Sequence, residues 1–84
     1  MQRELVVQAR NGDLEAFTQL MKVSLRRLTG VASLILRDAD LAQDAVQDAS
    51  LMAWRDLRAL RDPDAWDAWL HRLTVRACYK VSRK

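Results

Sequence analysis

The sequence predicts an all-α fold, a compact bundle of three main helices preceded by a short N-terminal helix. Three observations carry this. Two glycines and one proline in 84 residues leave few natural breaks and favour long helices. Apolar residues recur at three- and four-residue spacing along most of the chain, the period of one helix face. No stretch alternates apolar and polar for more than a few residues, as a half-buried strand would. The length suits one domain, which at this size hides roughly 60% of its unfolded surface.

The elements follow in order. A short helix runs from about Gln2 to Arg10 and ends at Asn11-Gly12, glycine taking the left-handed position after a helix without strain. Asp13 caps the second helix, with Glu15 in the first turn, where the helix dipole favours a carboxylate. That helix carries Phe17, Leu20, Met21, Leu25, Leu28, Val31, Ala32 and Ile35 at helical spacing. Gly30 inside it reads as a point of close helix packing, with a kink as the alternative. Asp40 with Gln43 resembles a capping box that opens a third helix from about Leu41 to Leu57. Asp62 as N-cap and Pro63 as first helical residue start a fourth helix, reaching about Ser82. Trp54 and Trp66 read as core or core-edge residues, and Met21 and Met52 as packing residues.

Net charge is +3, from 14 basic and 11 acidic residues, and its distribution says more than its size. Asp38 to Asp48 holds four aspartates and no Lys or Arg, whereas Ala68 to Lys84 holds Arg72, Arg76, Lys80, Arg83 and Lys84 and no acid. An acidic pole and a basic pole suit two different partners. The single cysteine, Cys78, precludes an internal disulfide and a thiolate metal site and fits a reducing compartment. No signal peptide follows Met1, and no apolar run approaches the ~20 residues of a membrane span. The expectation is a cytoplasmic protein without membrane contact, cofactor or metal. Catalysis is not expected either. The only histidine, His71, lies seven residues before Cys78, about 10 Å away along a helix and too far for a Cys–His pair. Neither a phosphate-binding glycine loop nor metal-ligand spacing occurs, so no small-molecule substrate is expected.

Two faces stand out on a helical wheel. On the third helix, Ala42, Val46, Ala49, Ala53 and Leu57 share the core side, while Asp44, Gln47, Asp48 and Leu51 fall within an arc of about 100° elsewhere. The pattern allows a solvated face with a stray leucine, or a docking patch with a polar rim around an apolar centre. On the fourth helix, Arg72, Arg76, Lys80 and Arg83 form one stripe, with Trp69 inside it by angle and Tyr79 at its border. Trp66, Leu70, Leu73, Ala77 and Val81 form a separate apolar stripe. The basic stripe is either solvated, with Trp69 folded over its neighbours, or a surface for single-stranded nucleic acid, where cations track phosphates and rings stack bases.

The run from Asp40 to Arg55, DLAQDAVQDASLMAWR, resembles the second conserved region of bacterial sigma factors of the extracytoplasmic-function (ECF) group. Leu60 to Tyr79, LRDPDAWDAWLHRLTVRACY, resembles the promoter-reading half of the same domain, and Ala9 to Phe17, ARNGDLEAF, is similar to that group's opening. The likeness covers nearly the whole chain in order. It implies a region 2 domain over residues 1–84 that docks on RNA polymerase and melts promoter DNA. Asp44, Gln47 and Asp48, with Leu51 as a dry centre, would then grip the basic β′ clamp helices of the polymerase core. The segment Leu60 to Ala65, with Leu60, Arg61 and Asp62 at its start, would receive a base flipped from the non-template single strand of the minus-ten element. Trp69 would abut the melted edge, and Arg72 and Arg76, with Lys80 and Arg83 extending the stripe, would contact DNA. Arg76 and Lys80 depart from the asparagine and the acid common in the group, and both changes add positive charge. The loop lacks the usual phenylalanine and glycine. The resemblance further implies a helical anti-sigma factor as a partner, and a longer protein whose helix-turn-helix domain would follow Lys84, with a stand-alone polymerase-binding protein as the alternative. The rival expectation is an interaction module that binds polymerase or a regulator without reading DNA.

Overall fold

The computed structural model describes residues 2–83; Lys84, counted above in the basic pole, lies outside them. Four helices follow one another: α1 (Gln2–Arg10), α2 (Leu14–Leu36), α3 (Ala39–Asp56) and α4 (Trp66–Ser82). Between α3 and α4 the chain makes two 3-10 turns, Leu57–Ala59 and Pro63–Ala65, separated by the extended residues 60–62. No strand occurs among the described residues. α3 packs on α2 and α4, α2 also touches α4, and α1 lies along α2 with its side against both 3-10 turns. The molecule measures 34 × 21 × 19 Å.

Each helix start is chemically specified. The Asp13 carboxylate accepts the Ala16 N–H at 3.1 Å and opens α2 as expected. The capping box at Asp40 and Gln43 is not formed; α3 opens two residues earlier, with Asp38 accepting the N–H groups of Asp40 and Leu41 at 2.9 and 3.0 Å. One short carboxylate in extended backbone satisfies both orphan donors, so Asp40 becomes the favourable acid of the first turn. Asp62 caps as expected by accepting the Asp64 N–H, but the segment it opens is a 3-10 turn, and the α-helix proper begins at Trp66. α2 ends at Arg37, a non-glycine residue at φ 54° whose N–H donates to Ser33 O.

The core forms where the wheels place it. Ala42, Ala45, Ala49 and Ala53 of α3 are all buried, and these small side chains let α2 and α4 approach closely. Against them sit Leu28 and Ala32 of α2 and Trp66, Leu70, Leu73, Ala77 and Val81 of α4. Trp66 is fully buried with Phe17 at its edge, ring centroids 6.3 Å apart and planes at 85°, a favourable aromatic geometry. Trp54 lies at the core margin, 39% exposed, with its ring 5.0 Å from Phe17. Met21 and Met52 pack partly buried against the core. Two expectations for α2 fail. Leu25 and Ile35 are exposed: Leu25 falls on the flank of the buried face set by Leu20, Ser24 and Leu28, and Ile35 lies in the last turn, beyond the last buried residue, Ala32. Gly30 is exposed, and a Cβ built there meets nothing within 4 Å, so it marks no close packing; α2 continues through it as helix.

Candidate functional site

Because α3 turns its alanines inward, it turns the opposite side out. There Asp44, Gln47 and Leu51 are exposed and Asp48 half-buried, Leu51 at 64%. Asp44 and Gln47 stand on a ridge between two open depressions. One, of about 480 Å³, runs toward the end of α4 and is lined by Leu41, Asp48, Val81 and Ser82; the other runs toward α2, over Leu25, Thr29, Val46 and Ser50. Neither Asp44 nor Asp48 has a cationic partner within ion-pair distance among the described residues. Two carboxylates without a cationic partner thus lie on one face with an exposed leucine, beside two open depressions lined by both polar and apolar side chains.

On α4 the buried stripe fixes the outer one. Arg72, Arg76, Lys80 and Arg83 are all exposed, and none forms an ion pair among the described residues. Arg76 does act on a neighbour. The Arg55 guanidinium, hydrogen-bonded to Asp56 at 2.9 Å, holds that carboxyl below its usual range, and the charge of Arg76 adds to the effect. The aromatics divide differently from the wheel. Trp69 is half-buried against the core, its ring 5.8 Å from that of Trp66, so one side of it is committed to packing. Tyr79 is 60% exposed and is the freer ring beside the cations.

The segment between the 3-10 turns corrects part of the expected DNA contact. The Leu60 side chain is only 5% exposed and belongs to the core; a leucine in so short a loop gains more from burial than from solvent. Leu60 therefore anchors the loop from inside, and only Arg61 and Asp62 present exposed side chains. The Asp62 carboxylate is already engaged as the cap.

Several residues that organise this segment carried no signal in the sequence. Arg10 Nη1 donates to the carbonyls of Leu60 and Arg61 at 2.9 and 3.1 Å. Arg3 pairs with Asp64 at 2.8 Å, and Gln2 and Arg27 both reach Asp67, at 3.2 and 3.3 Å. These partners are 40 to 65 residues apart, so no local pattern could reveal them. Cys78 is fully buried, which pushes its thiol up from the ordinary range and keeps it out of reach of oxidants. His71 is exposed on the same helix. No group of side chains that could hold a metal occurs among the described residues, and no described helix is long and apolar enough to cross a membrane.

Known proteins now bear on these faces. The family model described as sigma-70 region 2 matches residues 20–84, from inside α2 through α4. The chain belongs to the sigma-70 region 2 family. Its curated relatives place it in the ECF group of that family. It is 41% identical over 73 residues to the ECF RNA polymerase sigma factor SigM of Mycobacterium tuberculosis, an alignment covering 87% of this chain and 37% of that protein. It is 32% identical over 73 residues to the RNA polymerase sigma-H factor of Pseudomonas aeruginosa, covering 87% of this chain and 38% of that one. A probable RNA polymerase sigma factor, RfaY, of Xanthomonas campestris is 30% identical over 63 residues, covering 75% of this chain and 16% of the relative. The chain thus spans little more than a third of the sigma factors it most resembles among these. No solved structure matches it. The family match takes in α3, with this chain's acidic ridge, and α4, with its basic stripe, and α1 lies outside it.

Proposed function

We propose that this chain is the polymerase-docking and promoter-melting part of an ECF sigma factor, acting in transcription initiation as a binding protein and not as an enzyme. The observation that carries the proposal is the pair of outward faces of opposite sign. Asp44, Gln47 and Asp48 share a face with the exposed Leu51, and Arg72, Arg76, Lys80 and Arg83 follow the outer side of α4 and its C-cap; none of the charged ones forms an ion pair among the described residues. The α3 ridge would lie against the basic β′ clamp helices of RNA polymerase, arginines pairing with the carboxylates while the Leu51 contact dries. The α4 stripe, with Tyr79 and the free side of Trp69, would hold the non-template single strand. The segment Arg61–Asp62 would take one unstacked base. Stacking on rings contributes about 1–3 kcal/mol per base, set against the cost of unstacking the duplex. A helical anti-sigma regulator would inhibit by covering the α3 ridge.

The test is binding to an isolated β′ clamp-helix fragment, wild type beside Asp48→Lys. Reversing a charge that faces arginines removes an attraction and adds a repulsion, so a loss of at least tenfold is expected, about 1.4 kcal/mol. Equal affinity for the two proteins sinks the docking assignment. Single-stranded DNA decides the other half. Binding that is absent even at low salt would leave an interaction module that does not read DNA.

A further inference from the structure

The loop 60–62 is tied down on one side only. Its three carbonyls are all taken: Leu60 O and Arg61 O by Arg10 Nη1, and Asp62 O by the Ala65 N–H at 3.0 Å. The Leu60 N–H donates to Leu57 O at 3.1 Å. The N–H groups of Arg61 and Asp62 donate to no group among the described residues. The peptide planes connect these facts. No peptide bond among the described residues is cis, and in a trans peptide the C=O and the following N–H point in opposite directions. Fixing the carbonyls of Leu60 and Arg61 on the side of Arg10 therefore turns the N–H groups of Arg61 and Asp62 to the other side. Arg10 reaches across from the last turn of α1. It has no carboxylate partner among the described residues, so its charge-assisted bonds go to these two oxygens alone.

We infer that Arg10 is the positioning residue of the base-receiving loop, aiming the main-chain N–H groups of Arg61 and Asp62 at the acceptor edge of an unstacked nucleobase. The inference rests on the reading of this loop as the place where a flipped base is held. Arg10 touches no DNA. It acts by making the two donors rigid before the base arrives, and rigid donors lose less ordering entropy on binding. Carbonyl oxygens and unprotonated ring nitrogens of a base are the complementary acceptors.

The experiment uses fork-junction promoter DNA bound to RNA polymerase core carrying this chain. An abasic site is moved through the single-stranded minus-ten element one nucleotide at a time. In the wild type, one position is expected to show an abasic penalty of about tenfold, within the range for losing one base contact. In Arg10→Ala that penalty should shrink to within about twofold while penalties at other positions persist. Arg10→Lys should restore most of it, because an ammonium also donates to two carbonyls. The ratio between positions is taken within each variant, so a general loss of affinity or stability cancels. If Arg10→Ala does not fold, Arg10→Met keeps the apolar stem and replaces it. A full penalty in the variant that lacks the charge overturns the inference about Arg10, as does equal weakening at every position. A wild type without any sensitive position overturns the base-receiving loop itself, and the role of Arg10 with it.

Discussion

Salt dependence offers the sharpest test of the α4 surface, because the number of cations fixes the expected slope. The stripe from Arg72 to Arg83 is about 16 Å long at the helical rise of 1.5 Å per residue. A stacked strand places a phosphate about every 3.4 Å, so about five phosphates pass along the four exposed cations. If each cation neutralises one phosphate of a single strand, the logarithm of the affinity falls with the logarithm of salt at a slope of about −2.8. Raising salt from about 50 to about 200 mM then weakens binding about fiftyfold. Replacing one cation, as in Arg76→Gln, should bring the slope to about −2.1 and the loss to about twentyfold. Replacing all four should leave it nearly flat. Arg26 of α2 is also exposed but lies on another helix, so Arg26→Gln serves as the charge control and should keep the wild-type slope. Fluorescence anisotropy of a labelled single strand, titrated at several salt concentrations, measures all of these. A slope that Arg72→Gln with Arg76→Gln leaves unchanged, or that Arg26→Gln lowers as much, refutes the assignment of phosphate contact to the stripe.

Two further predictions concern the scaffold. Arg37 ends α2 at φ 54°, which costs an L-residue about 1–2 kcal/mol, partly offset in glycine by its larger unfolded-state entropy. Arg37→Gly should therefore raise the thermal midpoint by about 2–8 °C for a domain of this size, read by circular dichroism, and an unchanged or lower midpoint contradicts the left-handed cap. Cys78 should resist iodoacetamide in the native protein and react fully in denaturant, since it is buried and its thiol is pushed up by that burial. The sign for stability follows: the neutral thiol is favoured in the folded state, so its contribution is complete below the unfolded thiol pKa. It is lost as pH rises through the higher folded value. Rapid alkylation without denaturant would show that the C-terminal half of α4 opens.

What was legible in the sequence was what repeats locally. The alanine face of α3 and the apolar stripe of α4 follow from residues three and four apart, and both are buried as read. The acidic ridge and the basic stripe were legible for the same reason, since a helix that buries one side must expose the other. The errors lie where local rules compete. Asp38 and Asp40 are both acceptable caps, and backbone geometry, which the sequence does not display, chose Asp38. Leu60 was placed in a contact surface by the resemblance of its segment to the family's base-receiving loop, but its apolar side chain found the core. Trp69 is not one of these errors: it shares the angle of the arginines, and packing on Trp66 leaves it half-buried with one side free. Arg10, Arg3 and Arg27 were invisible because their partners are 40 or more residues distant.

The distribution of ion pairs says why the two faces remain available. The chain has enough opposite charge to neutralise itself, with 14 basic and 11 acidic residues, and α3 and α4, which carry the opposite poles, pack directly on each other. The buried side chains of both helices are alanine, leucine, valine and tryptophan among others, so most of their charges face away from the contact, Arg76 near Asp56 being the exception. The long-range pairs that do form among the described residues, Arg3–Asp64 and Arg27–Asp67, join α1 to the second 3-10 turn and α2 to the first turn of α4. Both are exposed, and such pairs contribute about 0–1 kcal/mol each. Their position matters more than their energy: with Arg10 on the carbonyls of Leu60 and Arg61, they brace the one stretch between α3 and α4 that no helix stiffens. Apart from the neighbouring pair Arg55–Asp56, the ion pairs formed among the described residues are those that brace this loop. Asp44 and Asp48 on α3 and the four cations of α4 are left for partners outside it.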